Sequence, residues 1–88
     1  MLEKKFKITS SQGLHARPAT QLVRMANDYD CEIRLTLDKT TVDFKSIMGV
    51  MSLGVPTKAT VEIVAEGEDE KDVIASIAKV IKEQKVAE

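Results

Sequence analysis

Apolar and polar residues alternate at the start of the chain, with Leu2, Phe6 and Ile8 on one parity and Lys5, Lys7 and Thr9 on the other. That period-two pattern predicts a strand with one buried face, interrupted near its free end by Lys4 on the inward row. From about Pro18 to Asn27 the period lengthens. Ala19, Leu22, Val23 and Ala26 recur at helical spacing while Arg17, Gln21, Arg24 and Asp28 line the opposite side, which predicts an amphipathic helix. Cys31, Ile33, Leu35 and Leu37 then alternate with Glu32, Arg34 and Thr36. After the polar turn Asp38-Lys39-Thr40 the alternation resumes at Val42 and Phe44, so the segment reads as a hairpin. Ala59, Val61, Ile63 and Ala65 against Thr60, Glu62 and Glu66 make a fourth strand, after the turn Pro56-Thr57-Lys58.

The last element follows Gly67. Acidic residues gather at its start (Glu68, Asp69, Glu70, Asp72) and lysines at its end (Lys79, Lys82, Lys85), a distribution that suits the two poles of a helix dipole. Its apolar stripe is Ile74, Ile77, Ala78 and Ile81. Between hairpin and fourth strand lies a short helix, predicted over Ile47 to Leu53, with Ser46 as N-cap and Gly54 placed to stop it in the left-handed conformation. At 100° per residue Val50 and Leu53 share one side of that helix, whereas Ile47, Met48 and Met51 fall on another. A helix this short on a thin domain buries one of those sides and leaves the other as an apolar, methionine-bearing patch suited to docking.

Strands with one apolar face call for helices on that face and water on the other. The order strand, helix, strand, strand, helix, strand, helix predicts an α+β fold: an open-faced two-layer sandwich whose four-stranded, mainly antiparallel sheet carries three helices on one face (βαββαβα). The 88 residues, 1–88, are expected to form a single domain. Neither an apolar run long enough to span a bilayer nor the apolar stretch of a signal peptide is present, so a soluble, cytoplasmic protein without membrane insertion is expected. The net charge is −1 and the aromatic residues are only Phe6, Tyr29 and Phe44, which argues against direct nucleic-acid binding. One cysteine, Cys31, and one histidine far from it make neither a disulfide nor a metal site.

The chemistry concentrates in Gly13-Leu14-His15-Ala16-Arg17-Pro18-Ala19-Thr20. Imidazole, with an ordinary pKa of about 6.5, is at once a neutral nucleophile and a good leaving group near pH 7. His15 stands where a helix should begin. Because Arg17 precedes a proline and is biased away from helical geometry, that start falls anywhere from Ala16 to Pro18. Pro18 removes a first-turn N–H that has no intrahelical acceptor, and the N–H groups of Ala16 and Arg17 are left pointing outward. Amides at a helix N-terminus and a planar guanidinium together favour an anion. On residues alone His15 reads either as an ordinary capping or surface residue of this helix or as a histidine positioned to carry a phosphoryl group, with Ala16 and Arg17 stabilising it.

Two runs, Gly13-Leu14-His15-Ala16-Arg17-Pro18-Ala19 and Lys45-Ser46-Ile47-Met48-Gly49-Val50-Met51-Ser52-Leu53-Gly54, closely resemble the HPr family of histidine-containing phosphocarriers of the bacterial sugar phosphotransferase system. The resemblance implies that His15 takes a phosphoryl group on Nδ1 from phospho-enzyme I and passes it to the IIA components of sugar permeases. It implies no cofactor. Ser46 matches a serine phosphorylated by HPr kinase/phosphorylase, after which such proteins act with a catabolite control protein. Thr20, Arg24, Ile47, Met48 and Met51 are the implied partner-binding residues, and a monomer is expected. A phosphate on Ser46 would be held at its helix N-terminus. Placed roughly 10 Å from a phosphohistidine, it would repel it by about 2 kcal/mol in water.

Arg24, Lys39 and Cys31 depart from the family pattern, and Arg24 bears on the strength of regulatory contacts. Two other functions compete. A binding module without phosphotransfer would work through phosphorylated Ser46 and the Ile47, Met48, Met51 patch, as in regulatory relatives that lack the histidine. A hydrolase with His15 as nucleophile would need a group to activate water, and the sequence offers none.

Overall fold

A computed structural model describes all 88 residues. Strands β1 (Leu2–Lys7), β2 (Glu32–Leu37), β3 (Thr40–Asp43) and β4 (Thr60–Glu66) alternate with helices α1 (Ala16–Ala26), α2 (Ile47–Ser52) and α3 (Glu70–Glu83) in the expected order. The strands lie β1-β4-β2-β3 across one sheet, and every neighbouring pair is antiparallel.

Register explains the two-faced sheet. Phe6 stands opposite Val61, and Leu2 opposite Ala65, which in turn faces Ile33 across β2. Phe6, Val61, Ala65 and Ile33 join Ala19, Leu22, Val23 and Ala26 of α1, Val50 of α2 and Val73, Ile74, Ile77 and Ile81 of α3 in one buried cluster, against which the half-buried Leu2 packs. All three helices therefore cover the same face. On the open face Glu3, Val64, Arg34 and Asp43 form a row, and Arg34 pairs with Glu32 at 3.1 Å and Glu66 at 3.5 Å. Val64 is buried there, an outward position that alternation alone assigns to solvent.

The helix ends follow their caps. Glu70 and Asp72 occupy the first turn of α3 and Lys82 the last. Beyond α3, Lys85 takes the left-handed conformation (φ 54°), and the Val86 N–H returns to the Ile81 carbonyl at 3.2 Å. The chain then pairs with the sheet: Ala87 bridges Ile8, and Lys7 and Glu88 exchange backbone hydrogen bonds at 2.9 and 3.0 Å. Val86 and Ala87 are buried by this return. The hairpin turn places Asp38, not Lys39, at positive φ (55°), so a lysine at the following position costs no left-handed strain.

Candidate functional site

Gly13 sets the approach to the site. Its φ is +67°, and a Cβ there would lie 2.3 Å from the Val55 carbonyl oxygen, a distance no other residue tolerates. That same carbonyl accepts from the Leu14 N–H at 3.0 Å, and the Leu14 side chain is buried beneath the loop. His15 is thus delivered from a short segment anchored on the far exit of α2.

His15 is the N-cap of α1 with an extended backbone (φ −84°, ψ 176°), and its ring is half-buried without capping the helix. Its carbonyl accepts from Ala19 N–H at 3.1 Å, so the helix starts at Ala16 and Arg17 is helical despite the following proline. The neighbouring donors are then fixed by subtraction. Pro18 has no N–H, Ala19 has spent its own, and Ala16 and Arg17 keep theirs without an acceptor in the protein. No acidic residue lies in the first turn, and the exposed Arg17 side chain forms no ion pair. The first turn of α1 therefore presents two amides and one cation, without compensating negative charge, next to an imidazole.

Ser46 is the N-cap of α2, its hydroxyl accepting from Gly49 N–H at 3.1 Å. Val50 is buried and Leu53 half-buried, whereas Ile47, Met48 and Met51 are 36%, 81% and 38% exposed. The apolar patch foreseen on α2 is present at the surface. Gly54 ends the helix at φ 60° with open space where a Cβ would stand. Thr20 is half-buried and Arg24 exposed, both on α1, which packs against α2.

The expected closeness of His15 and Ser46 is corrected by how the helices meet. Asn27, just past α1, donates through Nδ2 to the Lys45 carbonyl at 3.0 Å, which puts Ser46 beside the end of α1 remote from His15. At a rise of about 1.5 Å per residue the helix holds them on the order of 15 Å apart. Groups of about −2 charge at that separation repel by roughly 1 kcal/mol in water, before screening over a length of about 8 Å.

Sequence periodicity does not reveal the ring's own partner. Nδ1 of His15 lies 3.2 Å from the Gly13 carbonyl oxygen. Cys31, unusual in the sequence, lies in the core, where burial and then the Asp69 carboxylate push its thiol above the ordinary range.

The matching family model is that of the PTS HPr component phosphorylation site, and it covers residues 2–83. Among solved structures, the chain is similar to the histidine-containing phosphocarrier protein of a mycoplasma at TM-score 0.95, with 29% identity over 97% of each chain. HPr-C-His from Thermoanaerobacter tengcongensis matches at TM-score 0.88 and 40% identity, over 93% of this chain and 92% of that one. Crh, the catabolite repression protein of Bacillus subtilis crystallised as a dimer with a swapped domain, matches at TM-score 0.73 and 38% identity, over 94% and 95%. With a four-stranded antiparallel sheet, three helices on one face and a histidine opening the first of them, this chain belongs to the HPr phosphocarrier family of the phosphotransferase system.

Proposed function

We propose that His15 is the phosphoacceptor of a sugar phosphotransferase relay. The observation that carries this reading is the half-buried imidazole at the start of α1 beside two amides and a guanidinium that have no partner within the protein. An unprotonated ring nitrogen attacks the phosphorus of phospho-enzyme I in line. The donor's N–P bond breaks as the new one forms, and the proton on the other ring nitrogen stays with the ring. Ala16, Arg17 and the Arg17 side chain stabilise the shared phosphoryl oxygens. Transfer onward to a IIA component is the same step reversed. The protein is a carrier, with its own phosphoryl group as an intermediate of the relay.

Ser46 is read as a regulatory phosphorylation site whose product is recognised by a catabolite control protein. Its position at the N-terminus of α2 holds a phosphate without unfolding the helix. At its distance from His15, direct repulsion is a minor effect. The inhibition expected of phosphorylation works by setting charge beside Ile47, Met48 and Met51, where an apolar partner surface would have to desolvate it. The likeness to Crh supports a regulatory reading of this patch as well.

The test is incubation of the protein and His15→Ala with enzyme I and labelled phosphoenolpyruvate. Acid-labile label on the unmodified protein alone is the expected result, since an N–P bond is lost where a serine ester survives. Equal label on His15→Ala removes the reading. A binding module without phosphotransfer instead takes up no label from enzyme I, while its partner binding is indifferent to the His15 substitution.

A further inference from the structure

The sulfur atoms of the chain belong to Met1, Met25, Met48, Met51 and Cys31. A hydroperoxide ordinarily reacts first with a cysteine, because a thiolate is the strongest nucleophile of the set. Cys31 is withdrawn from that role twice. It lies in the core, out of reach of solvent, and burial together with the Asp69 carboxylate keeps its thiol protonated. A thioether needs no ionisation before it reacts, so access decides among the methionines. Met25 is half-buried against the core, and Met51 is less than half as exposed as Met48, the most exposed large apolar side chain of the protein. Only Met1 comes near it in exposure, and its amino group pairs with Glu70 of α3 at 3.0 Å, away from α2.

Position gives this accessibility a consequence. Met48 stands in the first turn of α2, three residues from Met51 and so on the same side of the helix, with Ile47 next to it. The buried side of α2 is carried by Val50. A change at the Met48 sulfur therefore alters the exposed patch without reaching the core.

We propose that Met48 is a site of reversible oxidation by hydroperoxides and that its sulfoxide weakens docking of the carrier on enzyme I. This rests on the reading of Ile47, Met48 and Met51 as a docking face. A lone pair on Sδ attacks one peroxide oxygen, and the S–O bond forms as the O–O bond breaks. The proton of the transferred oxygen passes to the leaving one, which departs as water, or as an alcohol from an organic hydroperoxide. Sulfur gives up two electrons and the peroxide takes them. The product carries a strong hydrogen-bond acceptor in the middle of an apolar patch, and a partner that covers it strips that oxygen of water without replacing the bond. Sulfoxide reductases return the thioether, so the change is a switch and not only damage.

The full chain is treated with hydrogen peroxide, and oxygen uptake is followed residue by residue with peptide mass spectrometry. Initial rates of phosphorylation by enzyme I and phosphoenolpyruvate are measured against carrier concentration before and after treatment. Met48 should be oxidised ahead of Met25, Met51 and Cys31, and the KM for the carrier should rise about tenfold with kcat little changed. A mixture of the two methionine sulfoxide reductases should restore it, and an amide spectrum unchanged outside α2 verifies that the oxidised protein is folded. Met48→Leu, compared with itself before and after peroxide, should keep its own KM although Met1 still takes up oxygen. Oxidation of Cys31 or Met51 ahead of Met48, a Met48 sulfoxide with unaltered KM, or a rise in KM that persists in Met48→Leu overturns the proposal. Met48→Gln separates this inference from the reading beneath it. A KM unmoved by glutamine removes the docking face and the proposal together, whereas a KM raised by glutamine beside an inert sulfoxide removes the proposal alone. Labelling of His15 in the untreated protein is independent of every outcome.

Discussion

The Nδ1 atom of His15 lies 3.2 Å from the carbonyl oxygen of Gly13, two residues back along the same loop. A carbonyl only accepts, so the nitrogen facing it carries the proton and the lone pair of the neutral ring sits on Nε2. Phosphorylation at Nδ1, which the family resemblance implies, thus requires the ring to leave the Gly13 carbonyl and carry its proton on Nε2. Long-range nitrogen–proton NMR of the neutral ring is expected to show the Nδ1–H form at rest and the reverse arrangement after phosphorylation. A resting ring already protonated on Nε2 contradicts this.

Arg17→Ala should slow phosphoryl uptake by about 10- to 100-fold, the range expected when one charged donor is removed from a developing anion. The side chain is exposed and unpaired, so thermal stability should hardly change. Rapid-quench kinetics and a melting curve on the same variant separate the two effects.

Gly13→Ala couples fold to site. A methyl group 2.3 Å from the Val55 oxygen, on a backbone at φ +67°, forces the loop off its anchor. A loss of about 1–3 kcal/mol is expected, together with slower transfer because His15 is carried by the displaced segment. Chemical denaturation measures the first and phosphorylation rate the second.

Substitutions at Ser46 distinguish a cap from a charge. Ser46→Ala loses the bond to Gly49 N–H and should cost about 1 kcal/mol, whereas Ser46→Asp keeps a good N-cap and should be nearly neutral. Partner affinity should move the other way, weakened by aspartate and spared by alanine. Calorimetric titration with the partner alongside denaturation checks both.

Cys31 is 4% exposed, and burial raises its thiol above the ordinary range. In the native protein a disulfide reagent should react with it slowly at pH 8 and at full rate once denaturant is added. The sign of the linkage follows: the folded state retains a proton that the unfolded chain releases. Stability should therefore decline as pH climbs past the ordinary thiol value of about 8.5, and Cys31→Ser or Cys31→Ala should flatten that decline.

Much of this architecture is legible in the sequence because each strand and helix keeps its own period over several residues. Leu22 and Val23 mark the buried side of α1 as plainly as Arg24 marks the wet one. The hidden parts are those that period cannot encode. Val86 and Ala87 are too few to alternate, and their pairing with the start of the chain depends on a left-handed turn at Lys85, a residue with no special preference for it. Val64 is buried on the open face, a position that its neighbours in other strands decide. At the site, the residue types and the N-terminal placement of His15 were readable, but the separation of His15 from Ser46 depends on which ends of α1 and α2 meet. That is settled by one asparagine contact eighteen residues apart in sequence.

The two helices that bear the site are fastened to each other twice, through Leu14 to Val55 at one end and Asn27 to Lys45 at the other. A plate held at both margins has little freedom to surrender when something lands on it, so an encounter costs scant entropy. Grip and release then depend on the few side chains at the surface. That is the mechanical condition for a shuttle, whose throughput is limited as much by letting go as by taking hold.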